Sequence, residues 1–561
     1  MPKLNRLRPP DRRALVREVG AGMVLSVFLI PVGMAYAQAS GLPPITGLYA
    51  SAAPMLAYGL IGPSRIMVLG PDSSLAPLIL ATVVPLSAGD ADRAVVIAAA
   101  MAIGTGLLSL AAGLGGLGLL TELLSMPVRY GYLLGVAVVV TIGQLPTLFG
   151  IEADGDTVVR AVEVGRALLA GRGDLTTAAV GLVSLLALVV LRRVWSDMAA
   201  VAVTVGVAIV ATRVVGVPDN LEVIGPLPRG VPIPSFPTIG RADLGSVAIG
   251  AVGIALVSFA DTSVLSQSYA ARNQGRVDPN RELVALGLAN LTCGFFQGFP
   301  VSGSSSRTPV LESAGARSQL AGLVAAGALL LVVAVAPNTL ATLPLATLVA
   351  VLLVAVSNLV QWRTAQRLLA DWPLEFVMSM VCAVGVVVAG PLWGIGLAVA
   401  ISLLLFLQRA WRPHTTTLVR VDGMKGYHDA DRHPEGRQIP KVLLYRFDAP
   451  LFFANAEVFR RDLMDRVAAA GPNLTTVVIA AEPVTGVDAT ADLAIRAARD
   501  ELAEQGIELG FAELKGVVRD RLERSGTVEL LGADRFHPTV GRAVHDHVRR
   551  QGVDWVDWED A

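Results

Sequence analysis

Charge is scarce in this chain. Only 16% of its 561 residues are Asp, Glu, Lys or Arg, against about 25% in soluble globular domains. The formal net charge is −1, so there is no basic excess with which to hold nucleic acid. Cysteine is scarcer still. Cys293 and Cys382 are the only two, both inside apolar stretches, which argues against a disulfide framework or a thiolate metal cluster. The six histidines, His414, His428, His433, His537, His545 and His547, all fall late in the chain without metal-ligand spacing. His545 and His547 read as solvated residues of a late helix. No glycine-rich phosphate loop is present, which excludes ATP-driven work by this chain alone. No enzymatic constellation emerges, and no cofactor is expected.

What the chain has instead is apolar surface. Hydrophobic residues make up 53% and the mean hydropathy is +0.60. Charges are rare between Gly20 and Leu407 and dense after Arg409. A helix needs about 20 apolar residues to cross the hydrocarbon core. Stretches that meet or approach this length are Ala94 to Gly113, Val128 to Leu148, Thr176 to Leu191, Met198 to Val215, Gly245 to Ala271, Leu320 to Ala336, Leu343 to Val360, Leu374 to Ala389 and Ile395 to Leu407. Shorter runs interrupted by Pro and Gly follow Pro31, Pro71 and Ser306. The expected fold is an all-α polytopic membrane protein of about fourteen transmembrane helices.

Residues 1–19, with Lys3, Arg6, Arg8, Arg12, Arg13 and Arg17, read as a cytoplasmic arm, because nothing like a cleavage site follows them. With that end inside, Arg65, Arg192, Arg193, Arg272, Arg276, Arg281, Arg363 and Arg367 fall on the cytoplasmic side. Glu152, Asp154, Asp156, Glu163 and Asp174 fall opposite, as the positive-inside bias requires. An even number of spans then returns the C-terminus to the cytoplasm.

The Pro- and Gly-rich stretch from Val217 to Thr238 divides the apolar region, residues 20–411, into similar halves. In each half a Gly/Ser-rich turn precedes a short apolar segment: Gly70-Pro71-Asp72-Ser73-Ser74 and Ser302-Gly303-Ser304-Ser305-Ser306. Paired interrupted segments point to a binding site at the repeat interface, although Gly and Ser also permit close helix packing. Unwound backbone within a bilayer must face protein or a cavity. A half-helix starting there aims free N–H groups and the positive end of its dipole at that cavity, which suits an anion. Half-helices starting near Ser73 and Ser306 would hold one anion between them, with hydroxyls from Ser304, Ser305 and Ser306. Arg307 adds a positive charge that is expensive at such depth unless used; the plainer role is a structural ion pair, with Glu312 as candidate partner. Asp261 lies in an otherwise apolar span whose neighbours Leu256, Val257, Phe259 and Ala260 offer no counter-charge. It would carry a proton with the anion, bind sodium, or pair with Arg307. Asp72 is either a helix cap or part of the coupling site. Tyr36 either lines the cavity or packs as a belt aromatic.

After Pro413 the pattern changes. Residues 412–437 read as a linker, 438–553 as a small α/β domain and 554–561 as a tail. Val442 to Phe447 and Thr476 to Ala480 read as buried strands. Ala454 to Ala469, Ala489 to Glu504 and Val517 to Ser525 read as helices with apolar residues at three-to-four spacing.

Several long segments together resemble the sulfate permease (SulP) family, relatives of the animal sulfate, chloride and bicarbonate exchangers and of prestin. They are Ile30 to Ser51 (IPVGMAYAQASGLPPITGLYAS), Tyr58 to Leu69 followed by Gly70-Pro71, Ser125 to Gly150, and Asn280 to Gly315. The resemblance covers nearly the whole chain. It implies a seven-plus-seven inverted repeat with core and gate domains, and an anion between the third and tenth helix starts that moves by an elevator-like shift of the core. By position, Tyr36, Ser73, Gly303, Ser304, Ser305, Ser306 and Arg307 would surround the anion, with Asp261 and Asp72 in ion coupling. Two departures stand out. Val32 occupies a place where many members have Gln, and Leu265 one where sodium-coupled bicarbonate members have Thr, which favours a proton over sodium. The tail is similar to a STAS domain, with Asp488-Ala489-Thr490 in place of the Asp-Ser-Thr/Ser helix start of anti-sigma-factor antagonists. Lacking Ser at 489, it is not expected to work as a phospho-switch.

The function expected is proton-coupled symport of a small oxyanion, sulfate first, by a homodimer in the bacterial inner (plasma) membrane. Alternatives are a bicarbonate or dicarboxylate carrier, a sodium-coupled carrier or an exchanger. A nucleobase permease is disfavoured by the Ser-Ser-Ser-Arg start, and an anion-gated sensor or motor by Asp261.

Overall fold

In a computed structural model, residues 12–118, 125–153, 155–228, 230–272, 277–304, 306–335 and 337–557 are described. Residues 1–11 and 558–561, with Asp154, Arg276, Ser305 and Ala336 named above, lie outside them. The chain forms two compact units, 1–402 and 403–561, and each is described by itself.

The apolar runs become helices because only internal hydrogen bonding satisfies a backbone in lipid. The first half contains α1 (Arg12–Ala39), α2 (Pro44–Ile61), strand β1 (Leu69–Gly70), α3 (Ala76–Ser87), α4 (Ala91–Leu114), α5 (Met126–Phe149), α6 (Thr157–Leu169), α7 (Leu175–Val194) and α8 (Asp197–Val215). The second contains α9 (Leu244–Arg272), α10 (Pro279–Phe295), strand β2 (Ser302–Gly303), α11 (Arg307–Ser313), α12 (Leu320–Val335), α13 (Leu345–Ser357), α14 (Trp362–Asp371), α15 (Pro373–Ala389) and α16 (Pro391–Trp411). Helix starts outside the apolar stretches carry side-chain caps: Asp90 for α4, Asp174 for α7, Ser196 for α8 and Asp278 for α10.

Among the described residues, eight helical stretches are long and apolar enough to cross a membrane, and three more are apolar but shorter. The halves repeat the same plan. A short strand and short helix occupy the third place in each, and a mostly exposed helix, α6 or α14, follows the fifth. Setting α6 and α14 aside leaves fourteen of the sixteen helices, seven per half. Packing repeats as well: α4 on α10 is matched by α2 on α12, α1 on α12 by α4 on α9, and α5 on α15 by α7 on α13. The first four and corresponding later four helices thus form a core group, and α5, α7, α8, α13, α15 and α16 a gate group.

Close approach of these helices depends on glycine. A Cβ at Gly47 of α2 would lie 2.0 Å from the carbonyl oxygen of Gly33 in α1, and one at Gly131 of α5 would lie 2.1 Å from that of Ser379 in α15. Backbone cannot yield as a side-chain tip would. Gly47→Ala should destabilise the membrane unit by about 1–3 kcal/mol, read as a lower thermal transition in detergent; an unchanged transition would show that the two helices separate freely.

In the second unit the segment expected to be a linker contributes two strands. The sheet runs β4-β3-β5-β6-β7-β8, with β3 (Thr415–Arg420), β4 (Tyr427–Asp429), β5 (Val442–Phe447), β6 (Thr476–Ala480), β7 (Glu508–Ala512) and β8 (Phe536–His537). β4, β3 and β5 pair antiparallel, and β5 to β8 parallel. Its helices are α17 (Ala456–Ala470), α18 (Ala489–Glu504), α19 (Gly516–Arg524), α20 (Thr527–Leu531) and α21 (Val540–Gln551). Alternation along β5 explains why both faces are covered. Leu443, Tyr445 and Phe447 enter one core with Phe459 and Leu463 of α17 and Ile495 of α18. Val442 and Leu444 enter another with Ala543 and Val544 of α21. The expected tail also packs: Arg437 lies over the ring of Trp555, at 4.7 Å, and Arg420 donates to Asp557 at 2.7 and 2.9 Å. Asp488 caps α18 by accepting from the amide of Ala491 at 2.9 Å.

His547 corrects the reading of a solvated residue: it is buried, whereas His545 is exposed. The two lie two residues apart on α21, about 200° around the helix, so only one of them faces the sheet. Its Nε2 lies 3.1 Å from the Pro440 carbonyl, which can only accept, and its Nδ1 lies 3.1 Å from Thr476 Oγ1. Burial lowers its pKa. A depressed histidine contributes stability above its unfolded pKa of about 6.5 and loses it as pH falls towards the folded value. The thermal transition of the C-terminal unit should therefore drop below about pH 6.5, and less steeply in His547→Gln.

Candidate anion site

The two Gly/Ser-rich turns meet. β1 pairs antiparallel with β2, Leu69 opposite Gly303 and Gly70 opposite Ser302. The crossing is fastened by Ser304 N donating to the Val68 carbonyl at 3.0 Å, Val68 N to Thr308 Oγ1 at 3.1 Å, and Gly303 N to Thr262 Oγ1 at 3.0 Å. Antiparallel pairing brings the starts of α3 and α11 together. The first helical bond of α3 runs from Ala76 N to the Asp72 carbonyl and that of α11 from Thr308 N to the Ser304 carbonyl. α3 therefore begins at Ala76, slightly beyond the Ser73 expected, while α11 begins at Arg307 beside Ser306. At Gly303 a Cβ would lie 3.2 Å from both Met67 Sδ and Thr262 Oγ1, so the crossing has little room for a side chain.

Arg307 is fully buried, at 0% exposure. Its Nη2 lies 3.9 Å from Asp72 Oδ2, and its guanidinium carbon sits 5.7 Å from the centre of the Tyr36 ring. Among the described residues none of its Nε, Nη1 and Nη2 has a hydrogen-bond partner. The expected structural pair with Glu312 is not the one formed; Asp72 faces Arg307 instead because the strand crossing aligns the two turns. A Cβ at Gly70 would lie 2.5 Å from Nη1, so glycine there leaves room for the guanidinium. Tyr36, Ser73, Ser304 and Gly303 are buried around this point, and Ser306 is exposed. Ser304 Oγ accepts from Arg307 N at 3.3 Å and lies 3.2 Å from Ser306 Oγ. Val32 is buried in the apolar core. Ser305 lies outside the described residues.

Asp261 is joined to this cluster through Ser74, which the sequence reading placed in the first Gly/Ser-rich turn without giving it a role. Ser74 Oγ lies 2.8 Å from Asp261 Oδ2 and 3.0 Å from Asp72 Oδ1, and Ser74 N donates to Asp72 Oδ1 at 3.1 Å. Nor does Asp261 lack a counter-charge or pair with Arg307: Arg129 of α5 reaches it, Nη2 to Oδ1, at 2.7 Å. Tyr132, also on α5, donates to the Ser74 carbonyl at 2.9 Å. The result is a line of charge, Arg307, Asp72, Ser74, Asp261, Arg129, alternating between helices far apart in sequence. Arg129 carried its own signal, a lone cation early in an apolar span; Ser74 carried its place in the first Gly/Ser-rich turn, and Thr262 none beyond being a hydroxyl residue.

A cavity of about 770 Å³ lies in the C-terminal unit and touches none of the expected site residues. Its arginines, Arg420 and Arg446, are already paired with Asp557 and Asp448.

Paired half-helices crossing at short strands, inside an inverted repeat of apolar helices, define a multi-pass membrane transporter. Residues 15–382 match the sulfate permease family and residues 433–543 the STAS domain. A probable sulfate transporter of Mycobacterium tuberculosis is 36% identical over 98% of both chains. Human solute carrier family 26 member 6 is 31% identical over 82% of this chain and 64% of its own. Among solved structures, murine solute carrier 26 family member A9, an anion transporter in the inward-facing state, aligns with a TM-score of 0.88 at 21% identity, covering 97% of this chain and 92% of that one. The transmembrane domain of a cyanobacterial bicarbonate transporter, BicA, aligns with a TM-score of 0.59 at 21% identity, covering 70% and 97%. The chain belongs to the sulfate permease family of membrane transporters, with a STAS domain following the transmembrane region.

Proposed function

We propose that this protein is a secondary active carrier that takes up a small oxyanion, sulfate first, together with a proton. The observation that carries the reading is Arg307: a buried cation whose three nitrogens have no hydrogen-bond partner among the described residues, at the meeting point of two half-helix starts. A buried charge without hydrogen bonds costs several kcal/mol, and an oxyanion seated there would supply the missing acceptors. Arg presents a planar fork that matches a tetrahedral oxyanion, and the two helix starts add dipoles of the same sign. The name of the Mycobacterium relative favours sulfate; the BicA likeness supports fold alone, and bicarbonate is the rival for the same seat.

Ser74 supports proton coupling. A hydroxyl has one hydrogen, yet Ser74 Oγ lies within hydrogen-bond distance of two carboxylates. Both contacts are satisfied at once when either Asp72 or Asp261 carries a proton. Sodium is disfavoured because the Arg129 guanidinium already stands against Asp261. Translocation follows from a core that slides past the gate in an elevator-like movement, in a homodimer with both termini cytoplasmic. The test is uptake of labelled sulfate into vesicles holding the purified protein. Accumulation should require an inward proton gradient and ignore sodium; a sodium requirement, or competition by bicarbonate but not by sulfate, would overturn the assignment.

A further inference from the structure

Helix α5 packs chiefly with α15, α13 and α7 of the gate group, yet two of its polar side chains cross to the core. Arg129 lies in its first turn and Tyr132 three residues on, a spacing that puts both on one face of the helix. Tyr132 holds the Ser74 carbonyl and Arg129 holds Asp261. The two oxygens of Asp261 are thus divided. Oδ2 is engaged by Ser74 within the core, and Oδ1 is engaged by the gate. Among the described residues the Arg129 Nε is buried without a hydrogen-bond partner, while Nη2 at the other end of the guanidinium holds Asp261.

We infer that Arg129 is the gate-side counter-ion through which proton binding at Asp261 controls movement of the core: the ionised carboxylate ties core to gate, and a proton on it unties them. The inference rests on the proton-coupled, sliding-core reading above. The step moves one proton and no electrons. The proton adds to Asp261 Oδ1, while Arg129 keeps its charge throughout because a guanidinium does not deprotonate in proteins. A neutral carboxyl leaves no opposite charge for Arg129, and a charge-assisted bond at 2.7 Å is exchanged for a neutral contact. An anion arriving at Arg307 acts at the other end of the line, competing with Asp72 for that cation.

The charged and titratable groups that face Asp261 from each packed element decide what a pH profile reports. Arg129 and Tyr132 face Asp261 from α5, and Asp72 and Ser74 from the turn before α3. Arg307 of α11 and Tyr36 of α1 stand beyond Asp72. Of the other elements packed on α9, β2 brings Ser302 and Gly303. α4 brings Arg93, paired with Asp243 before the start of α9, and α10 brings Glu282, held by Tyr58 and Ser64.

The experiment uses full-length protein in vesicles and follows exchange of labelled sulfate at equal pH on both sides, over a series of pH values. In the wild type, exchange should quicken as pH falls, because release needs the proton. Arg129→Gln should exchange at the acid-side maximum at every pH, lose most of the accumulation driven by a proton gradient, and bind sulfate within about twofold of wild type by calorimetry. Arg129→Lys should restore part of the pH dependence. If Arg129→Gln does not fold, Asp261→Asn removes the same ion pair from the core side and must give the same flat profile. A wild-type pH profile in Arg129→Gln, uniformly slower exchange, or loss of sulfate affinity would each overturn the inference. Normal affinity in Arg307→Ala would instead sink the placement of the anion, leaving the Arg129 result to be judged by its pH profile.

Discussion

Arg307→Ala should lower sulfate affinity by at least ~100-fold, since two or more charge-assisted hydrogen bonds at about 1.5–3 kcal/mol each are removed from a dry site. The loss comes from binding and not from folding. Among the described residues the side chain is buried with no hydrogen-bond partner, 3.9 Å from Asp72, so truncation relieves a desolvated charge while it opens a cavity and leaves Asp72 without its counter-charge. The thermal transition without sulfate should fall as Asp72 loses its counter-charge, but the upward shift produced by sulfate in the wild type should vanish. Arg307→Lys should recover only part of the affinity, because an ammonium is a point charge that cannot grip two oxygens in one plane. Titration calorimetry with sulfate on the three proteins checks the order wild type, Lys, Ala. Equal affinity in wild type and Ala would place the anion elsewhere.

Asp261→Asn should abolish accumulation against a gradient while leaving exchange. Asparagine keeps the shape and still accepts from Ser74, but it takes no proton and offers Arg129 no charge. The carrier then resembles one held permanently in its proton-bound form. Imposing an inward proton gradient should raise steady-state sulfate in wild-type vesicles by ~10-fold per pH unit for one proton per sulfate with the membrane potential clamped at zero, and not at all in the variant. The check is the internal-to-external ratio at steady state. A variant that still concentrates sulfate would remove Asp261 from the coupling.

Much of the membrane architecture was readable because lipid makes hydropathy an almost direct record of structure. The apolar stretches from Ala94, Val128, Thr176, Met198, Gly245, Leu320, Leu374 and Ile395 each lie largely within a helix. In the C-terminal unit, β5, β6 and α18 have the expected bounds, since continuous Val, Leu and Ile runs mark central parallel strands. What escaped were short or polar elements. β4 is a three-residue edge strand, and β7 carries Glu508 and Gly510, which blur its pattern until its neighbours bury it.

The site divides in the same way. Tyr36, Asp72, Ser73, Gly303, Ser304, Ser306 and Arg307 gather around the strand crossing because each lies on or beside an interrupted helix, a feature visible in one dimension. The pairing of Asp261 with Arg129 spans 132 residues and joins core to gate, and no local pattern encodes a contact between two helices packed by their other faces. For the same reason Glu312 was a natural but mistaken partner for Arg307: it was near in sequence, whereas Asp72 is brought close by β1 and β2.

The central claim is that one proton enters with each anion seated at Arg307. The most direct measurement traps a pH-sensitive dye inside vesicles holding the full-length protein, buffers both sides equally, and adds sulfate outside with the membrane potential clamped. The account expects the lumen to acidify as sulfate enters, with no acidification in Arg307→Ala or Asp261→Asn. Sulfate entry in the wild type with a constant internal pH would contradict it.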